Sequence, residues 1–396
     1  MKARTTFTLS LAAILTLTIC SAFGSYSGGS GEPNNPYQIA NVADFNQLTS
    51  TPTDWTKAFI LTADINLTGR TFTKAPIAPD TSTTYGFQGT PFTGIFDGNS
   101  HTISKLTITA STKEYIGLFG YVGSSGQIRN LGVKDVNTTG SQYVGGLVGS
   151  NGDWSIGGAA ITSCYATGSV SGTYYVGGMV GSNYYGTLTS CYATCTVSGT
   201  VRVGGLVGYN YHSTLTSCYA TGAVSGISFV GGLVGNIASG SLTSCYATGS
   251  VNGTSLVGGL VGLNDDGALT SCFWDINTSG QPTSSGGTGK TTAEMKTLST
   301  FTSAGWDFSY TDGDPADWFM PIDEYPILTW QISPADLYTD GKNNFRDWAI
   351  FAKYWLREDC AIYNDYCEWA DMNFDGYVDI SDLADFVSYW LEEGIY

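Results

Sequence analysis

One period governs the centre of this chain. Cys164, Cys191, Cys218, Cys245 and Cys272 stand 27 residues apart, four times inside Ser-Cys-Tyr-Ala-Thr and finally inside Ser-Cys-Phe-Trp. A constant period of this size marks a unit that buries its apolar face only by stacking on copies of itself. A second phrase, Val-Gly-Gly-(Leu/Met)-Val-Gly, starts at Val144, Val176, Val203, Val230 and Val257, and the last four copies keep a Val-to-Cys interval of fifteen residues. The first interval is longer by five residues, around Gly152 to Ala159. Extra chain between two intact phrases must bulge from a turn, because a coil clamped by its neighbours has slack only there.

Within Cys-Tyr-Ala-Thr-Gly-Ser-Val the small or apolar residues fall on one parity and Tyr, Thr and Ser on the other. That alternation is the strand period. The repeat therefore predicts a coil of two or three strands, with corners at the Ser-Gly-Thr and Gly-Ser-Asn groups, each strand pairing with the coil above and below. From 141 to 274 the only charged side chains are Asp153, Arg202, Asp265 and Asp266, so stacking and not ion pairing must hold the array. Identical residues then form ladders about 4.8 Å apart. Cys164 to Cys272 form an inward ladder of thiols acting as small hydrophobes, with neighbour disulfides as the alternative. Tyr165, Tyr192, Tyr219, Tyr246 and Phe273 form an outward one. Cys195 interrupts a position held by Gly in sister coils.

These phrases resemble the GLUG repeat. The segment Phe92 to Ile108, with a degenerate copy at Tyr115-Ile-Gly-Leu-Phe-Gly120, is similar to the lead-in of such arrays, and residues 288–330 to their tail. Asn34 to Leu48 reads as a short strand and an amphipathic helix that would cap the first open edge. The resemblance implies a mainly β fold, a right-handed parallel β-helix of about 27-residue coils. The divisions expected are 25–140 for cap and first degenerate coils, 141–274 for the repeats and 275–332 for a closing tail.

A chain of 396 residues accommodates that solenoid and one further module. A net charge of −17 argues against nucleic acid or an anionic membrane as partner. Lys2 and Arg4, the apolar run from Leu9 to Ile19 and the small residues up to Gly24 read as a secretory signal peptide over 1–24, its core too short to span a bilayer. Cys20 raises lipid attachment, but Ile19 is large where such a signal wants a small residue. No other segment reads as transmembrane, and the protein is expected to be extracellular or associated with a cell surface.

From 333 onward the composition changes: residues 334–396 hold 14 Asp and Glu against 4 Lys and Arg. Asp371, Asn373, Asp375, Asp379 and Asp382 occupy positions one, three, five, nine and twelve of a loop with Gly376 at six, and Tyr377 offers its carbonyl at seven. This is the spacing of oxygen donors around calcium. Thirty-five residues earlier, Asp336, Asp340, Gly341, Asn344 and Asp347 repeat the pattern, with Lys342 at the carbonyl position and Tyr338 where a donor is missing. Both loops run into helices ending Tyr-Trp-Leu. The pair resembles a dockerin, which implies a small all-α module over 333–396 holding Ca2+ at one strong and one weaker site and docking on a cohesin-like protein. Cys360 and Cys367, close together in the loop between the halves of an exported chain, are expected to bridge.

No catalytic residue is assigned. Asp265 and Asp266 diverge in a turn, His212 lies in another, and His101 reads as structural. No nucleophile triad is visible, although Asp64, Asp80, Asp97 and Glu114 could assemble in the N-terminal part. The outward tyrosines and Phe273, flanked by Thr167, Thr194, Thr221 and Thr248, would offer flat faces on which sugar rings stack. The alternative is a ladder that stiffens the solenoid or lies under other chain. The expected protein is a noncatalytic scaffold that binds carbohydrate or a surface. The alternatives are a tethered polysaccharide-degrading enzyme and a cell-surface adhesin.

Overall fold

The computed structural model describes residues 26–390 apart from 83, 85, 156, 309–316, 322, 334, 336, 338–342, 344, 361–366, 368 and 374. The signal segment and the first-loop residues Asp336, Tyr338, Asp340, Gly341, Lys342 and Asn344 lie outside them. The fold is a parallel β-helix. Each coil has four faces, not the two or three expected. One full turn runs Tyr165–Ser171, Tyr174–Gly177, Val180–Tyr184 and Thr187–Thr189 before Tyr192 begins the next. The faces build parallel sheets of fourteen, six, six and nine strands respectively. The register is identity on identity: Tyr165 pairs Tyr192, Tyr192 pairs Tyr219, Tyr219 pairs Tyr246 and Tyr246 pairs Phe273.

The corners explain the extra faces. Ser-Gly-Thr turns the chain as expected, but Gly-Ser-Asn lies within the strand Val180–Tyr184. Its asparagine points inward, where Asn151 donates to the Asn183 side-chain oxygen at 2.8 Å and Asn183 to that of Asn210 at 3.0 Å. A buried amide is tolerated only when its hydrogen bonds are made, and the stack makes them. The turn is deferred to Tyr185, His212, Ser239 and Asp266, whose backbone is left-handed; Ser163, Ser190, Ser217, Ser244 and Ser271 take that backbone at another corner, and Tyr143, Tyr175, Arg202, Phe229 and Leu256 take it as kinks within their strands. Such φ values cost non-glycine residues of order 1 kcal/mol each. Rung-to-rung hydrogen bonds offset this, as from Ser163 N–H to the Thr189 carbonyl at 3.0 Å. The Val-Gly-Gly phrase is set by close approach. A Cβ on Gly204 would lie 2.1 Å from the Val207 carbonyl oxygen, and one on Gly205 2.1 Å from that of Gly232.

Inward ladders meet in a continuous core that includes Ile161, Leu188, Leu215 and Leu242 with the valines of the repeated phrase. Cys164, Cys191, Cys218, Cys245 and Cys272 are buried and free. Each thiol donates to the carbonyl two residues back, as from Cys191 to Thr189 at 3.2 Å. Cys195 is also buried, and burial pushes its thiol up to about 12. The five-residue insertion bulges from the turn after Asn151, closed by the Ala159 N–H on the Asn151 side chain at 2.8 Å. At the N-terminal end the strand Tyr37–Ile39 joins the nine-stranded sheet, and the helix Val42–Ser50, capped by Asn41, packs Phe45 and Leu48 into the core.

The C-terminal segment has its own small core of Leu337, Phe351, Val378 and Phe386 with the Cys360–Cys367 disulfide. Its helices Phe345–Tyr354 and Ile380–Trp390 meet through Phe351 and Phe386, with ring centroids 4.8 Å apart. Among the described residues, no helix is long and apolar enough to cross a membrane.

Candidate functional site

The outward tyrosine ladder exists, but it is covered. Tyr165, Tyr192, Tyr219, Tyr246 and Phe273 are each at most 6% exposed. The rings stack at 4.9 Å, and the tail folds back over them, seating Met295, Phe301, Trp306, Trp318 and Leu328 on the ladder. Polar contacts fasten this strap. Tyr219 donates to the Gln331 side-chain oxygen at 3.0 Å, Trp330 to the Ser190 carbonyl at 3.0 Å and Ser217 to Asp317 at 2.8 Å. The stripe expected to receive sugars is therefore an internal seam, because closing residues rich in Trp and Phe bury more apolar surface on aromatic rungs than in water. Asp275 anchors the start of the strap. It caps the helix Ile276–Ser279 and accepts the hydroxyls of Thr292 and Tyr325, each at 2.7 Å. Burial alone would raise its carboxyl, but these hydroxyls and the helix N–H groups outweigh it and hold the carboxyl below the usual range.

A second aromatic surface remains open, along residues with left-handed backbone. Tyr115, Tyr143 and Tyr175 stack face to face at 4.7 and 4.9 Å, the latter pair 1° from parallel. Arg202 continues the column, its guanidinium 5.2 Å from the rings of Tyr175 and Tyr209 and 5.3 Å from Phe229. Its Nε donates to Asn236 at 3.0 Å, which fixes the plane of the fork. Tyr209 leads on to Tyr184 at 5.6 Å and Tyr184 to Tyr211 at 5.5 Å. Tyr185 stacks on His212 at 5.2 Å and 2°. Tyr143, Tyr175, Tyr184, Tyr209 and Tyr211 are half-buried, and Tyr185 is 47% exposed. The stacked rings face one another, which leaves their edges, the more exposed Tyr185 and the Arg202 guanidinium as the groups a polar, flat ligand could meet.

Repeat-based reading hides this surface, because its positions do not repeat in identity: Tyr143, Tyr175, Arg202, Phe229 and Leu256 share a column yet not a residue type. The available signal was the large residue before every Val-Gly-Gly phrase.

In the C-terminal module the acidic side chains of the second loop accept hydrogen bonds from the loop's own backbone N–H groups. Asp371 accepts from the N–H groups of Asp375 and Gly376 at 3.1 and 3.0 Å, Asn373 from Asp375 at 2.9 Å, and Asp375 from Tyr377 at 3.0 Å. Asp382 accepts from Met372 and Asp379, each at 2.8 Å, and Asp379 from Ser381 at 2.7 Å. Gly376 takes φ +95°, which the sharp turn needs. Asp371, Asp382 and the first-loop residue Asp347 are fully buried. Burial, with the neighbouring Asp382 and Asp375, pushes the Asp371 carboxyl up despite its two N–H donors. Among the described residues no group of three or more His, Cys, Asp or Glu side chains is gathered closely enough to hold a metal. The loop orients its donors one by one and does not cluster them.

The remaining residues singled out from sequence separate. His101 lies 3.5 Å from Asp64, which accepts the Thr102 N–H, and Asp97 pairs with Arg129 at 2.8 Å. Asp265 accepts from Asn236 at 3.2 Å, while Asp266 and His212 are corner residues. Only Asp80 and Glu114 are brought together, in one cleft.

The architecture defines a class, a parallel β-solenoid closed along one side by its own tail. The GLUG motif matches residues 140–171 and 199–225 of its coils. The chain is similar to halomucin of Haloquadratum walsbyi, 33% identical over 133 residues, which is 31% of this chain and 1% of halomucin. It is also similar to a protein of Evansella cellulosilytica provisionally described as a Gly-rich membrane protein, 31% identical over 129 residues, covering 32% of this chain and 14% of that one. The chain thus spans a small part of both relatives. Among solved structures, a Bacteroides ovatus chain provisionally described as an immunoglobulin A1 protease superposes with a TM-score of 0.58 at 22% identity, covering 77% of this chain and 95% of that one. That likeness speaks to fold alone.

Proposed function

We propose that this is a secreted or surface-associated, noncatalytic GLUG solenoid that holds carbohydrate on its open aromatic face. The observation that carries the reading is the run of Tyr143, Tyr175 and Arg202 with Tyr209, Tyr184 and Tyr211, rings spaced by the coil and left uncovered where the other ladder is strapped. Half-buried rings with polar phenol groups, beside a guanidinium, offer apolar contact and hydrogen bonds together, which binds sugar rings without reacting with them. The similarity to halomucin and to a Gly-rich membrane protein supports an exterior location. The test is affinity electrophoresis of the full chain through gels containing plant and algal polysaccharides. Tyr175→Ala with Tyr211→Ala should abolish retardation, and Tyr219→Phe, under the strap, should leave it intact. Retardation unaffected by the double variant, or release of reducing ends or unsaturated uronates, would overturn the reading.

The C-terminal module serves in this proposal as a calcium-dependent tether to a cohesin-like partner. Asp371, Asn373, Asp375, Asp379, Asp382 and the Tyr377 carbonyl would hold the stronger Ca2+, and Asp336, Asp340, Asn344, Asp347 and the Lys342 carbonyl the weaker. The support is the winding of the second loop, in which backbone N–H groups orient Asp371 and Asp382. Bound calcium would neutralise the buried carboxylates and order both helices before docking. Calorimetric titration of the full chain should give one strong and one weak site, and capture by a cohesin should fail in chelator. No calcium uptake would remove the tether.

A further inference from the structure

The cleft that unites Asp80 and Glu114 has a volume of about 230 Å³ and is lined by Thr73, Lys74, Asp80, Thr81, Lys113 and Glu114. Its walls come from the chain that leaves the strand Thr71–Phe72 and from the turn that enters the strand Glu114–Ile116. The polar groups are positioned. Glu114 accepts from the Gln142 side chain at 2.8 Å, Asp80 accepts from the Gln88 N–H at 2.8 Å, and the Thr81 hydroxyl donates to the Gln88 carbonyl at 2.7 Å. The lysines are different. Lys57 pairs with Glu32 at 3.0 Å and Lys105 with Asp135 at 2.7 Å, whereas neither Lys74 nor Lys113 forms an ion pair among the described residues. In a chain with a net charge of −17, a concavity that sets two ammonium groups outside ion pairs beside two carboxylates concentrates positive charge where the rest of the surface is acidic.

The cleft also adjoins the aromatic face. Glu114 pairs in register with Gln142 and precedes Tyr115, the buried ring on which the half-buried Tyr143 stacks. Phe87, from the loop after Asp80, stacks on Tyr121 at 4.3 Å and meets Tyr115 edge-on at 5.4 Å. A chain of sugars lying along Tyr175 and Tyr143 would reach this point next. Two ammoniums call for an anionic group on the ligand, and two carboxylates and two threonines call for hydroxyl donors on the same ligand. Inorganic phosphate satisfies the first demand and is repelled by the carboxylates. A neutral sugar satisfies the second and leaves the ammoniums unpaired.

We propose that this cleft binds one acidic saccharide unit, a hydroxylated ring bearing a carboxylate or sulfate group, at the N-terminal end of the aromatic face. The assignment deepens the carbohydrate-binding reading and names the class of its ligand. Burial and the Asp80 carboxylate push the Glu114 carboxyl above its ordinary value.

The test compares the full chain with the double variant Lys74→Met, Lys113→Met and with Tyr175→Ala, by calorimetry against oligogalacturonate, sulfated galactan oligomers and neutral galactan oligomers. The exposed lysines make few packing contacts, and circular dichroism checks that each variant is folded. The unsubstituted chain should prefer an anionic oligomer over the neutral one by about tenfold, and the stronger of the two anionic arms identifies the group as carboxylate or sulfate. The preference should shrink in high salt and vanish in the double lysine variant, which keeps its affinity for the neutral oligomer. Equal affinity for all three oligomers, or a preference that survives the lysine changes, overturns the proposal and leaves the aromatic platform standing. Free galacturonate and galactose 6-sulfate, followed by shifts of the Lys74 and Lys113 resonances, separate the other case: binding there with no oligomer affinity sinks the platform and keeps the cleft. Absence of both kinds of binding overturns both.

Discussion

Trp318 is the residue on which closure of the strap most depends, and its truncation has a calculable consequence. The side chain is fully buried between Trp306 at 4.5 Å, Tyr246 at 5.8 Å and Tyr219 at 6.1 Å. Replacing a buried tryptophan by alanine costs about 3–5 kcal/mol in lost transfer energy and residual cavity. No hydrogen bond adds to this, because the indole N–H has no partner among the described residues. A buried unpaired donor costs about 1–3 kcal/mol, so Trp318→Phe should be far milder than its loss of volume implies. In a quasi-one-dimensional fold each part opens against its own neighbours. The alanine variant should therefore release the strap without melting the coils. Hydrogen exchange with mass spectrometry reads this directly. Peptides covering 317–332 should lose roughly two to four orders of magnitude of protection, and peptides covering the core strands Leu188 and Leu215 should change little. If protection over 317–332 stays within about threefold of the parent, the ladder does not hold the strap and the account of its burial is wrong.

Three further outcomes follow from the same structure. Gly205→Ala, which forces a Cβ to 2.1 Å from the Gly232 carbonyl oxygen, should open the stack at that rung and lower the melting temperature; an unchanged melting curve would mean the corner is looser than its geometry. The free buried thiols should resist a disulfide reagent in the native state and react together on denaturation, whereas prompt modification of Cys191 or Cys218 would contradict the inward ladder. Asp275 has a folded carboxyl value below its unfolded one of about 3.9, so its contribution is complete above the unfolded value and disappears as pH falls through the folded one. Asp275→Asn should accordingly lower strap stability by about 1–3 kcal/mol at pH 7. The variant and parent should converge in strongly acid buffer, as proteolysis of the tail would show.

Much of the solenoid was legible in the period. Twenty-seven residues between cysteines dictate like-on-like stacking, and the structure pairs Tyr192 with Tyr219 and Ala193 with Ala220 in that register. The alternation in Cys-Tyr-Ala separates two ladders without fixing which points inward; the packed coils turn the cysteines into the core and set the tyrosines under the tail. The number of faces was not legible, because it depends on whether Asn183 turns the chain or enters the core. An amide enters only when the rungs above and below complete its hydrogen bonds.

The division between chain and fold is sharpest at the two aromatic columns. Tyr165, Tyr192, Tyr219 and Tyr246 announce themselves by repetition, yet repetition says nothing about what lies on top, and residues more than a hundred positions later decide it by folding back. Tyr143, Tyr175, Arg202 and Phe229 differ in type and become a surface only because equivalent strand kinks place them one rung apart. Local pattern settles strand, stacking and register, since those depend on neighbours at a fixed spacing. Exposure depends on which distant segment finds a given face first, and that is a property of the packed molecule.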